Sequence, residues 1–151
     1  MHVNLRRVAA LLLGLVVVGA VYALCSGGTS SPEEQVREAI RDMERGFAER
    51  DVGRVLDHVS NAFHSPMLGD KADVRRIVLA EVLRSGGIHL VTLKSTVVPE
   101  EGRLRWQGTV GAARIGGRGA GPELQPYAVE ALFAKEGGQW LVVEATVQPI
   151  D

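Results

Sequence analysis

Residues 33–63 read EEQVREAIRDMERGFAERDVGRVLDHVSNAF, and this stretch decides the fold of the domain. Four of its apolar residues recur at spacings of four, three and four: Val36, Ile40, Met43 and Phe47. This stripe predicts an amphipathic helix that starts at the Ser31-Pro32 cap and runs to about Arg50. Asp51 is predicted to cap a second, shorter helix because an aspartate side chain accepts hydrogen bonds from the first free backbone N–H groups.

The remainder of the chain changes from helical to strand periodicity. Asp70 is predicted to cap a third helix with four residues facing inward: Val74, Ile77, Val78 and Val82. Apolar residues then alternate, which predicts strands at 88–98, 103–115, 127–134 and 139–147. The last of these is apolar on both faces, so we expect it to be central or covered. Helices followed by antiparallel strands predict an α+β domain, with three helices packed on one face of a strongly curved antiparallel sheet.

The N-terminus predicts a membrane segment. Arg6 and Arg7 precede an uncharged run of 18 residues, 8–25, which as a helix is about 27 Å long and just spans a bilayer core. Basic residues stay on the cytoplasmic side, so the rest of the chain is expected outside it. Three fates are open: a retained single-pass anchor, cleavage as a signal peptide, or lipidation at Cys25. We therefore divide the chain into 1–27, a signal-anchor or signal peptide with a short linker, and a domain at 28–151.

Charge and composition exclude several classes of function. Two of the 17 Lys and Arg precede residue 28, which leaves 15 basic against 18 acidic side chains in the domain. A net charge of −3 argues against nucleic acid as a partner, because phosphate binding needs a basic face. No two histidines have a metal-ligand spacing, and the only cysteine, Cys25, lies in the apolar segment. No metal and no cofactor are predicted.

Three stretches together resemble the nuclear-transport-factor-2-like superfamily, in its SnoaL-like bacterial branch. They are 33–63, AFHSPMLGDKAD at 62–73, and the closing hairpin YAVEALFAKEGGQWLVVEATV at 127–147. The resemblance implies a cystatin-like cone in which helices and a bent sheet enclose a pocket. It implies pocket-lining aromatic residues, which are Phe47, Phe63, Trp106, Tyr127 and Phe133 in this chain. Because this cone carries isomerases, dehydratases, hydrolases and binding modules, the reaction stays open.

Three ionisable residues are candidates for chemistry in such a pocket. His64 lies in the break before the third helix and titrates near neutral pH, so it is the first candidate for a general base. His89 is predicted to share a strand face with Val91, Leu93 and Val97 and to point inward. Glu144 is predicted to share a face with Trp140, Val142 and Thr146, and whether that face is inner or outer stays open.

The sequence thus predicts a domain on the periplasmic side of a bacterial inner membrane, with a cytoplasmic N-terminus. We expect non-catalytic binding of a small apolar ligand or a protein partner, because no matched acid–base pair stands at inward positions. The alternative is a SnoaL-like isomerase, dehydratase or hydrolase that uses His64. A third possibility is a structural module that forms a homodimer through the outer face of the sheet, where polar residues alternate along one strand: Arg103, Arg105, Gln107 and Thr109.

Overall fold

The computed structural model describes residues 30–84, 88–114 and 124–151. The predicted membrane segment at 8–25, with Cys25, therefore lies outside the described residues. Within the described ranges, no helix combines the length and the apolar character needed to cross a bilayer. The helices and strands belong to one compact unit, Pro32–Asp151.

The elements follow the predicted order of helices first and strands after. In chain order they are α1 (Pro32–Ala48), α2 (Val52–Leu56), β1 (His64–Ser65), β2 (Gly69–Asp70), α3 (Lys71–Arg84), β3 (Ile88–Glu100), β4 (Arg103–Arg114), β5 (Leu124–Glu136) and β6 (Gln139–Pro149). Strands β1 and β2 form a small ribbon, and β3 to β6 form an antiparallel meander in sequence order. The predicted α+β architecture is confirmed.

Local capping explains where the helices begin and end. The Asp51 carboxylate accepts a hydrogen bond of 3.0 Å from the Arg54 backbone N–H at the start of α2. Asp70 and Asp73 cap α3 reciprocally, each carboxylate accepting from the other residue's backbone N–H. Helix α1 ends with Arg50 at φ 58°, a left-handed conformation in which glycine is usual. Both predicted aspartate caps are therefore confirmed.

The core lies between α1 and the inner face of the sheet. It is built around Phe133, Trp106 and Val36, which are at most 1% exposed. Register pairs Leu104 with Phe133 and Trp106 with Ala131, and these four buried residues lie on the inner face of β4 and β5. A second, smaller cluster joins α2 to α3 through Val55, Val78 and Val82. Ile77 was predicted inward on α3 and is 44% exposed, so that assignment was wrong.

Strand β6 was predicted to be central or covered, and it lies at the edge of the sheet, so the central alternative does not hold. Its free edge is partly covered, because the segment after α2 pairs with it in parallel. The Ser60 N–H donates to the Val142 carbonyl at 2.9 Å, and the Val142 N–H donates to the His58 carbonyl at 2.8 Å. This pairing satisfies backbone groups that an open edge leaves exposed, and it places His58 beside the start of β6.

Two β-bulges change which face of the sheet a residue occupies. In β3, Thr92 pairs with Val110 and Lys94 with Thr109, so Leu93 is an extra residue. In β6, Val142 pairs with Phe133 and Glu144 with Leu132, so Val143 is extra. Because side chains alternate with a period of two, one extra residue moves every later side chain to the opposite face.

Candidate functional site

The bulges correct two face assignments of candidate residues. His89 lies on the exposed face of β3 with Val91 and Leu93, whereas Val97 packs against the core on the inner face. The prediction that His89 and Val97 share a face was therefore wrong, and the extra residue Leu93 is the reason.

Glu144 is the second residue that a bulge displaces. Val142 is buried in the core and Trp140 packs against it, but the extra residue Val143 turns Glu144 to the outer face. There Glu144 pairs in register with Leu132 and is exposed. The prediction that Glu144 shares a face with Trp140 and Val142 was wrong, and the Glu144 side chain lies on the outer face of the sheet.

His64 is in the short strand β1, opposite Asp70, and its side chain is exposed. The neighbouring Ser65 is the buried member of that strand, and its hydroxyl donates to the Ala145 carbonyl of β6 at 2.7 Å. The break between α2 and α3 is therefore fastened to the sheet through Ser65, while His64 points to solvent.

The five predicted pocket-lining aromatics do not lie in one place. Phe63, Trp106 and Phe133 are members of the main buried core. Phe47 packs instead against the cluster between α2 and α3. Tyr127 is half-buried and pairs with Val110, two register steps beyond Trp106 along the inner face. Three of the five aromatic residues thus fill the packed end of the cone, whereas Tyr127 lies further along the inner face and Phe47 lies in the other cluster.

We call the inner-face residues Val110, Tyr127, Val129 and Val147 the open end of the cone. All four are half-buried, whereas the packed end around Trp106 and Phe133 is closed. Helix side chains that remain half-buried, among them Ile40 and Met43, pack against the same core cluster. The open end is therefore a partly exposed part of the inner face with three valines and one tyrosine, and predominantly apolar residues are the usual lining of a site for a small molecule.

One polar contact between helix and sheet was not predicted. The Thr92 hydroxyl of β3 donates a hydrogen bond to the Glu44 carboxylate of α1. Both side chains are half-buried, and Thr92 alternates with the exposed Val91 and Leu93, so it lies on the inner face. Glu44 is one of many charged residues in α1, so the sequence does not distinguish it from the others. Its contact with Thr92 arises because α1 packs against β3.

The indole N–H of Trp106 is a polar group within the buried core. Its indole N–H is buried and has no hydrogen-bond partner among the described residues. A Cβ built on Gly108 would lie 2.3 Å from Cη2 and 2.6 Å from Cζ2 of this ring, so the indole lies across Gly108. The six-membered ring of Trp106 therefore covers the side of Gly108 on which a Cβ would stand.

A histidine–carboxylate pair does exist, but outside the cone. The Asp42 carboxylate of α1 lies 2.7 Å from Nε2 of His58 and accepts a 2.8 Å hydrogen bond from Nε of Arg54. The hydrogen bonds from Arg54 and His58 lower the pKa of Asp42 to about 2, because they stabilise its ionised form. This cluster was not predicted from the sequence, where Asp42 is 12 residues from Arg54 and 16 from His58.

The cluster lies along an open groove of about 780 Å³ between α1 and the start of β6. Its lining includes Glu38, Asp42, Asp57, His58, Gln139 and Trp140. The groove is wide and polar, and the Asp42 carboxylate is already hydrogen-bonded to Arg54 and His58. These three side chains therefore hold α1 and the segment after α2 together, and we call them the clamp. Among the described residues, no group of three or more His, Cys, Asp or Glu side chains is arranged to hold a metal ion.

No family model matches the chain, and no curated protein matches it. Solved structures do match. A cystatin-like protein of unknown function from Nostoc punctiforme has a TM-score of 0.64 at 11% identity, over 77% of this chain and 89% of that one. A nuclear-transport-factor-2-like protein of Streptomyces avermitilis, proposed to be a dehydratase, has a TM-score of 0.67 at 14% identity, over 78% and 95%.

A third similar structure comes from Xanthomonas campestris and is proposed to be a calcium/calmodulin-dependent protein kinase II association domain. Its TM-score is 0.64 at 11% identity, over 76% of this chain and 85% of that one. At such identities the likeness extends to the fold and leaves the activity open. Residues 32–149 thus form an α+β domain of the nuclear-transport-factor-2-like, cystatin-like fold.

Proposed function

We propose that the domain is a binding module that takes a small apolar ligand into the open end of its cone, without catalysing a reaction. The observation that carries this proposal is a contrast between the residues of the open end and the candidate catalytic residues. Half-buried aliphatic residues line the open end, while His64, His89 and Glu144 are all exposed. An apolar recess with few polar groups supports ligand binding, and it offers no matched acid and base to a substrate.

Adjacent residues on opposite faces of β5 test this proposal. Val129 is half-buried on the inner face, and Ala128 is exposed on the outer one. The V129F variant should fill the open end, and A128F adds the same ring outside it. We titrate the full-length chain with the fluorescent apolar probe 1-aminoanthracene and follow its emission and the melting temperature. A site-bound ligand stabilises by about 2.7 kcal/mol at a hundredfold excess over Kd.

The expected result is saturable binding that V129F weakens at least tenfold and A128F leaves within twofold. Equal loss in both variants, or emission that rises linearly without saturation, would show that the probe meets exposed surface and that the open end is not a site.

We also propose that residues 8–25 hold the domain at the outer face of a bacterial inner membrane. The support is the two arginines before an 18-residue apolar run. An alkaline phosphatase fused after Asp151 should be active, since that reporter folds only outside the cytoplasm. The intact mass of the mature chain distinguishes retention, cleavage and lipidation at Cys25. An inactive reporter contradicts the proposed orientation.

The alternative is a SnoaL-like enzyme with His64 as general base, and the fold of the Streptomyces avermitilis protein supports considering it. A dehydratase would remove water from a β-hydroxy ketone such as 4-hydroxy-4-phenylbutan-2-one, which yields an enone that absorbs in the near ultraviolet. We expect no acceleration over buffer. A rate that falls in H64Q but not in H89Q would establish the enzyme instead.

A homodimer through the outer sheet face is a compatible assembly. Val91 and Leu93 are 50% and 53% exposed there. Arg105 and Gln107 already bond Glu130 within the chain, so the contact would centre on the apolar residues. Sedimentation of the full-length chain should show a dimer that V91E dissociates and that L83E, on α3, leaves intact. A monomer at all concentrations contradicts it.

A further inference from the structure

We propose that helix α3 docks on an anionic lipid surface through four exposed residues, Ile77, Leu79, Ala80 and Leu83, which we call the α3 face. The inference rests on the proposed location of the domain at a membrane, and it adds which part of the domain meets the lipid. Its basis is an exposed apolar helix face with exposed arginines at one end.

Helix α3 is apolar on two sides. Val78 and Val82 are buried in the cluster that joins α3 to α2. The positions within 77–83 that remain exposed are also all apolar, and Leu83 is 75% exposed. In α1, by contrast, the exposed positions between residues 33 and 47 are all charged: Glu38, Arg41 and Arg45. The outward side of α1 is therefore an ordinary solvated face, whereas a contiguous exposed apolar face such as that of α3 marks an interaction surface.

The charges of α3 favour an anionic partner. The helix contains four basic and two acidic residues, a net charge of +2, whereas the domain as a whole carries −3. The two acidic residues, Asp73 and Glu81, are half-buried, and Asp73 pairs with Arg76. Arg75 and Arg76 are exposed, and Arg75 has no ion-pair partner among the described residues. Because residues three and four apart share a helix face, both arginines border the α3 face one turn before Leu79.

A lipid surface suits both parts of this helix, which a second copy of the chain does not. At an anionic bilayer, leucine side chains enter the boundary between headgroups and acyl chains, while arginine side chains extend to the lipid phosphates. Two copies of the α3 face would instead bury Arg75 and Arg76 without an exposed acidic residue among 71–83 to pair with them. With the proposed tether, the six residues 26–31 span at most about 22 Å, so lipid stays close to the domain.

Two exposed alanines provide a matched pair of sites for a fluorescent label. Ala80 lies on the α3 face, and Ala128 lies on the outer face of β5. In the full-length chain with Cys25 replaced by serine, A80C and A128C are each labelled with the fluorophore NBD. The labelled chains are reconstituted into vesicles of phosphatidylcholine alone or with about 30% anionic phosphatidylglycerol, with and without 5-doxyl-phosphatidylcholine. The doxyl lipid quenches NBD only where the label enters the bilayer, so it distinguishes docking on lipid from contact with protein.

The expected result is at least twofold quenching of the label at residue 80 in anionic vesicles, weaker quenching in phosphatidylcholine, and none at residue 128. R75Q and about 0.5 M sodium chloride should each reduce the quenching, because both weaken the attraction to anionic headgroups. The double variant L79E/L83E should abolish it, because it places charges on the apolar face. Equal quenching at both sites, or none at residue 80, overturns the inference. Emission at residue 80 that changes with protein concentration but is not quenched by the doxyl lipid assigns the α3 face to a second copy and overturns it as well.

Flotation with the same vesicles tests the tether separately. If L79E/L83E still floats at high salt, residues 8–25 hold the chain, and the quenching at residue 80 alone decides the role of α3. If only chains with an intact α3 face float, α3 docks on lipid and the retained tether is wrong. A chain that does not float at all contradicts both proposals. The comparison of A80C with A128C keeps both leucines, so it decides the matter even if L79E/L83E fails to fold.

Discussion

The clamp around Asp42 predicts a specific dependence of stability on pH. Arg54 and His58 hold the pKa of this carboxyl at about 2, below the usual value of an aspartate. In the folded state Asp42 therefore binds its proton more weakly than in the unfolded state. Its stabilisation is present in full above the unfolded pKa and is lost as the pH falls from about 4 to about 2.

The magnitude follows from the shift and from the exposure of the group. A full shift of this size corresponds to about 2.6 kcal/mol. The Asp42 side chain is 31% exposed and that of Arg54 is 29% exposed, so solvent screens the pair. We therefore expect the charge of Asp42 to contribute about 1 kcal/mol to the free energy of unfolding near neutral pH.

The assay is urea unfolding of the full-length chain and of D42N at pH 7, 4 and 2. D42N should be less stable by about 1 kcal/mol at pH 7 and equal to the parent at pH 2. The matched control is D57N, because helical spacing alone pairs Arg54 with Asp57, whereas Arg54 bonds Asp42 and Glu49. If D57N costs as much as D42N, or if the deficit of D42N persists unchanged at pH 2, the clamp is not the source of the stability.

Three further substitutions test local packing through urea midpoints of the full-length chain. R50G should raise stability by about 1 kcal/mol, because Arg50 holds a left-handed φ of 58° that glycine adopts without a steric penalty, and R50A should give no gain. G108A should cost about 1–3 kcal/mol and change the near-ultraviolet circular dichroism, because the new Cβ would meet the Trp106 ring at 2.3 Å; an unchanged spectrum contradicts this. S65A should cost about 1–3 kcal/mol, because Ser65 is 1% exposed and the substitution removes the hydroxyl that donates to the Ala145 carbonyl, and a neutral result would mean that water replaces the hydroxyl.

Periodicity predicted the helices and strands well because each of them depends on residues that are close together in the sequence. The apolar stripe of α1 and the alternation in β4 and β5 arise because one face of each element packs against the core. The resulting pattern can be recognised from neighbouring residues. The aspartate caps at 51 and 70 are equally local, since the side chain bonds a backbone group within three residues. The sequence left open whether β6 is central or covered, because apolar residues on both faces do not distinguish a central strand from an edge that another segment covers.

Contacts between distant residues were beyond sequence reasoning. Asp42 meets Arg54 and His58 at separations of 12 and 16 residues, and Glu44 meets Thr92 across 48. No spacing rule connects such positions, because the distance between them is set by how α1 packs on α2 and β3. For this reason, the sequence did not identify which charged residues of α1 belong to the clamp and which one bonds Thr92.

The bulge in β6 has the largest consequence for the candidate residues. If Val143 paired regularly with Leu132, Glu144 would lie opposite Ala131 on the inner face, and Ala131 in turn pairs with Trp106. A carboxyl group at that position would face the core, where desolvation raises the pKa of a carboxyl group. Because Val143 bulges, Glu144 instead lies on the outer face opposite Leu132 and is exposed. The face that carries the Glu144 carboxylate is therefore decided by strand register, which neither composition nor simple alternation predicts.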